Sequence, residues 1–159
     1  MLPLKMKEEA EKAAVERKAK GMQIQCEKLQ LSASLAAEIE FSADRDYPSI
    51  SLTEALAASA ANKPLPQKIS DKKLLDDQLT LEKRATELIP FLSESEAKTL
   101  QSVTLHHYVV TQMRTCKVPL NERVSPSEGR FDANDELNRI RSGAFEMAKA
   151  YRSRCAENS

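Results

Sequence analysis

Histidine occurs twice in this chain, at the adjacent positions 106 and 107. On a helix, neighbouring residues point about 100° apart, so the two rings cannot readily grip one metal. His106 falls inside the apolar arc of its segment and His107 at the arc's edge. Either ring could act as a base, but only if a group from another segment orients it. The sequence supplies no such local group, so the expected role is a half-buried histidine hydrogen-bonded to a neighbour. Removing His106 is then expected to cost stability, not chemistry. The three cysteines, Cys26, Cys116 and Cys155, each sit on or continue an apolar stripe. A catalytic thiol needs a thiolate-stabilising site, so small buried hydrophobe is the expected role. Their odd number and wide spacing do not read as a disulfide framework, which points to a reducing compartment. No Cys-x-x-Cys or His-Glu-x-x-His occurs, so zinc spacing is absent. With glycine only at 21, 129 and 143, a glycine-rich phosphate loop is excluded in its usual forms. No catalytic residue, metal or cofactor is expected.

Carboxylates pair at Asp76–Asp77, Glu94–Glu96 and Asp135–Glu136. General acid–base work would need a buried pair with split pKa values. The first pair lies mid-helix beside Lys72 and Lys73, and the others fall at helix starts, where acids suit the dipole. All are expected on solvated faces or at caps. The strongest basic cluster is Arg139, Arg141, Lys149, Arg152 and Arg154, with Phe145 close on the helical wheel. Such a strip can meet phosphates or an acidic protein surface. No turn-helix geometry or base-reading motif accompanies it.

These residues are carried by helices. Three glycines, no tryptophan and 4% aromatics are too few for the tight turns and strands of a sheet protein of this length. Val15, Ala19, Met22, Cys26, Leu29, Ala33 and Ala36 step by fours and threes, a heptad seam on one long helix over 4–41. Before Gly21 the apolar residues are mostly alanine, and that half looks solvated. After it, Ile24, Leu31, Leu35, Ile39 and Phe41 add a second face. Residues 42–51 read as a connector. Ser51-Leu52-Thr53-Glu54 is a capping box for a short helix to about Asn62, and Pro64 and Pro66 force an extended linker. Ser70 caps the next helix, whose stripe is Leu74, Gln78, Leu81, Ala85, Leu88 and Leu92, with Pro90 ending or kinking it. Ser93-Glu94-Ser95-Glu96 opens a helix to about Cys116 with an apolar arc of Val103, Leu105, Val109, Val110, Met113 and Cys116. Residues 117–131 form the longest non-helical stretch, a candidate contact loop. Asp132 or Asn134 caps the last helix, faced by Ala133, Leu137, Ile140, Ala144, Met147, Ala148, Tyr151 and Cys155.

The expected fold is all-α: a long N-terminal helix, with coiled-coil character, plus a small bundle of three to four helices. The expected division is an arm at 1–41, a connector with a short helix at 42–69, and a helical core at 70–159. Lys plus Arg equals Asp plus Glu at 24 each. Residues 1–41 hold seven of each sign, and the remainder splits into minus one and plus one. No segment is the basic block of a dedicated nucleic-acid binder. No stretch approaches a membrane span or a signal peptide, and Cys155 stands one place off the prenylation position. In composition the chain is similar to small helical accessory proteins of phages and mobile elements: assembly factors, scaffolds and inhibitors. The functional expectation is a non-enzymatic, cytoplasmic protein–protein interaction or assembly factor, binding another protein or a second copy of itself. Its interface would be Val15, Ala19, Met22, Cys26 and Leu29. The alternative is a nucleic-acid-associated regulator using the basic last helix.

Overall fold

The computed structural model describes residues 4–46, 69–115 and 133–156, together with 57, 60 and 61. The described residues are all-helical, with no strand among them. Four α-helices carry the fold: α1 (Leu4–Asp46), α2 (Asp71–Leu88), α3 (Glu94–Thr115) and α4 (Ala133–Tyr151). A 3₁₀ turn, Ile89–Phe91, follows α2, and α4 widens at its end into a π-turn, Arg152–Ala156.

Local sequence sets the boundaries. The Ser70 side chain accepts from the Lys73 backbone N–H at 3.3 Å, capping α2. Pro90 lacks the N–H that continued helix would need, and α2 gives way to the 3₁₀ turn there. Ser93 and Glu96 form a reciprocal box: Ser93 N–H donates to Glu96 Oε1 at 2.9 Å, and Glu96 N–H donates to Ser93 Oγ at 3.2 Å. The first helix runs five residues further than the sequence predicts, through Ser42–Asp46. Ser42 and Ala43 are buried there, so packing carries the helix past the last large apolar residue of its pattern. The capping box at Ser51, the linker prolines, Cys116 and the loop 117–131 lie outside the described residues.

The core is built from Leu29, Leu35, Ala36, Ile39 and Ala43 of α1, Leu81 and Ala85 of α2, Leu100, Val103 and Val110 of α3, and Leu137, Ile140, Ala144 and Met147 of α4. Helices α3 and α4 form the most intimate pair, and α1 packs on all three others. Gly143 sits at the α3–α4 crossing: a Cβ there would lie 2.3 Å from Val103 Cγ2. The α2 stripe, and the α4 stripe from Leu137 onward, are those the sequence predicts. That of α3 is so only in part. Its inward seam is Glu96, Leu100, Val103, His107, Val110 and Arg114, stepping by fours and threes, all buried. Leu105, placed inside the arc by hydrophobicity, is 58% exposed. Three polar residues occupy seam positions, which rotated the apolar arc away from the true inward face.

Candidate interaction surfaces

Helix α1 has two unlike halves. Every residue from Leu4 to Gln25 is exposed, while Leu29, Ser32, Leu35, Ala36, Ile39, Ser42 and Ala43 are buried. At 1.5 Å per residue, the exposed half is about 33 Å long. It therefore stands out from the bundle as a continuation of a helix whose other half is core. Glu8 and Lys12, and Glu16 and Lys20, fall at the i,i+4 spacing that supports a solvated helix. Val15 is 68% and Met22 59% exposed, with Ala19 exposed between them. Two members of the expected interface are corrected. Leu29 is 1% exposed, spent on the chain's own core. Cys26 is bonded to Cys155. What remains open to a partner is Val15, Ala19 and Met22.

The base of this arm is pinned. Cys26 and Cys155 form a disulfide, with Cα atoms 5.7 Å apart and 129 residues between them in sequence. The expectation of free, buried thiols is corrected for these two, and with it the argument for a reducing compartment. Spacing along the chain hid the pair, because the fold lays the middle of α1 against the end of α4. The signal was each cysteine's place on its own helix's packed stripe. Two further contacts gather here. Lys28 Nζ lies 4.8 Å from the centre of the Phe91 ring. Arg154 donates to the second oxygen of Glu96. Burial pushes the Glu96 carboxyl up, but hydrogen bonds from Arg154 and Ser93, with the Arg154 charge, hold it below its ordinary value. The capping role expected of Glu96 is present, and its carboxyl is in addition buried and paired with Arg154.

His107, expected at the edge of the apolar arc, is the more buried of the two histidines. His107 is 2% exposed, on the inward seam. His106 sits beside it at the α3–α4 crossing, and its Nδ1 donates to the carboxylate of Glu136. Glu136 is 3% exposed, so this helix-start acid is also buried rather than solvated. The partial burial and hydrogen bond expected of His106 are present. His106 lines a shallow groove of about 400 Å³ with Lys98, Ser102, Arg139 and Glu146. No group of three metal-ligating side chains occurs among the described residues.

The basic cluster does not form an uninterrupted strip. Arg141 donates to Asp44 at 2.7 Å and to Asn138 at 3.2 Å, tying α4 to α1. Burial and the Asp44 charge push the nearby Glu40 carboxyl up, against the pull of Arg141. Arg154 is engaged with Glu96. Arg139, Lys149 and Arg152 are exposed. Among the described residues, no helix is long and apolar enough to cross a membrane.

Comparison with family models, curated proteins and solved structures returns no match to this chain.

Proposed function

We propose that this chain is a non-enzymatic assembly or adaptor protein that docks through the projecting half of α1. One observation carries the reading: 22 consecutive helical residues, Leu4–Gln25, are exposed on a helix whose other half is core. Helices in proteins owe most of their stability to packing against another surface rather than to propensity, and this half is exposed. Val15, Ala19 and Met22 offer one short apolar stripe for that contact. The occupant is another protein in preference to a symmetric second copy. Extending the stripe's spacing backwards meets Lys12, Glu8 and Lys5, and parallel in-register pairing would set like charges against each other.

The His106–Glu136 pair fits a structural role, since the imidazole satisfies a carboxylate that would otherwise be buried alone. The nucleic-acid reading ranks second, because two of its five cations are already engaged with carboxylates or amides of this chain. Cytoplasmic residence belongs to the main reading only with a disulfide that opens and closes, since lasting disulfides are rare under a reducing poise.

The test is a Val15→Glu/Met22→Glu variant compared with wild type for the mass of the complexes it enters. Loss of the larger species, with unchanged thermal stability, supports the docking role. Identical complexes reject it. Salt-sensitive nucleic-acid binding abolished by Arg139→Ala/Arg152→Ala would promote the second reading.

A further inference from the structure

We infer that Cys26–Cys155 is a reversible thiol–disulfide site, and that its redox state gates the groove at the base of the arm. The bond stands at the boundary between the two halves of α1. Every described residue before Cys26 is exposed, and the first buried residue after it is Leu29. Across from it, α4 proper ends at Tyr151 and the chain continues as the π-turn Arg152–Ala156. Within that turn Arg152, Ser153 and Arg154 are exposed, whereas Cys155 packs partly on the core. The Cys155 bond and the Arg154–Glu96 contact both hold the turn. That contact joins the exposed Arg154 to the buried Glu96 and holds one side chain of the turn, without a covalent link. The disulfide supplies that link.

Arg154 also forms one wall of a groove of about 270 Å³, whose other walls are Gln25, Pro90, Phe91, Leu92 and Ser93. The bond thus keeps a wall of this groove in place. Both cysteines are half-buried, neither sealed in the core nor fully open, so a small thiol can reach them. The reductant is a dithiol. One of its thiolates attacks a sulfur of the pair, a mixed disulfide forms, and its second thiol displaces the protein sulfur. Two electrons and two protons end on Cys26 and Cys155, and the reductant leaves as its own disulfide. The freed π-turn then lifts off α1, Arg154 leaves Glu96, and the groove loses a wall. The core half of α1 stays packed through Leu35, Ala36 and Ile39. The gate operates whatever protein occupies the arm.

The test uses the full chain in dithiothreitol buffers of graded reduced-to-oxidised ratio. Thiol trapping with peptide mass mapping follows Cys26 and Cys155 separately from Cys116, and amide hydrogen exchange is read on the same samples. The expected result is opening of the bond in folded protein. Exchange should then quicken by about tenfold or more in 152–156 and 89–93 while the bundle stays folded and 29–43 remains the slowest-exchanging segment, with full recovery on reoxidation. A bond that opens only when 29–43 also unfolds would overturn the gate and make the disulfide a static staple. So would a bond that opens with the exchange of 152–156 and 89–93 unaltered. A Cys155→Ser variant must reproduce the reduced pattern in oxidising buffer, and failure to do so has the same meaning.

Discussion

Replacing Gly143 with alanine opposes two effects of known size. In a helix interior, alanine is favoured over glycine by about 1 kcal/mol. Against that, the new Cβ would lie 2.3 Å from Val103 Cγ2, more than an ångström inside ordinary carbon–carbon contact. The Val103 side chain cannot swing aside: it is 0% exposed, and a β-branched residue in a helix has one strongly preferred rotamer. Helix α4 must therefore move from α3 at the most intimate crossing of the bundle, an overpacking cost of about 1–3 kcal/mol. The expected balance is a net loss of about 1 kcal/mol. Val103→Ala alone removes two buried methyl groups and should cost roughly 2 kcal/mol. In the double variant the alanine methyl enters the space that Val103 vacates. The two losses should then fall short of additive by about 1 kcal/mol or more. Urea unfolding of the four proteins measures this directly. Gly143→Ala at or above wild-type stability, or strict additivity of the two changes, would refute the crossing geometry.

Three further outcomes follow from the pinned base and the buried pairs. Cys26→Ser closes no ring across the 129-residue separation, so by the chain-entropy relation it should lose up to about 5 kcal/mol in urea unfolding under oxidising conditions. The same variant and wild type should converge when excess dithiol is present. His106→Ala strands the buried Glu136 carboxylate and should cost roughly 3 kcal/mol, partly recovered in His106→Ala/Glu136→Gln, with partner binding unchanged in whichever variants fold. Glu96, held below its ordinary 4.5, adds stability that is full above that value and is lost as pH falls through its folded pKa. Arg154→Ala should accordingly flatten the acid limb of the stability curve below about pH 4.5, read by thermal unfolding at stepped pH.

The all-helical class, the α2 and α4 stripes, the Ser70 cap and the Ser93–Glu96 box were legible because each depends on residues within a turn or two of one another. The seam of α3 was legible only in part, at Val103 and Val110. Hydrophobicity alone locates an inward face only when that face is apolar, and here Glu96, His107 and Arg114 occupy it. The partners that make Glu96 and His106 intelligible, Arg154 and Glu136, come from the terminal π-turn and from α4, 58 and 30 residues away. The same distance problem concealed the Cys26–Cys155 bond. The seam on α1 was legible as a spacing, but periodicity treats its members alike. Whether a seam position meets the chain's own core, as at Leu29, or solvent, as at Val15, depends on where the bundle ends. No local pattern encodes that.

The docking role of the arm is tested most directly by the particle mass of the tagged chain in extract from cells that naturally make it. Wild type and Val15→Glu/Met22→Glu should be run side by side. The account predicts wild type in a species well above the 17.8 kDa monomer, and the variant, equally folded by circular dichroism, returned to the monomer mass. Wild type found as a 17.8 kDa monomer, or a variant in the same large species as wild type, would contradict it.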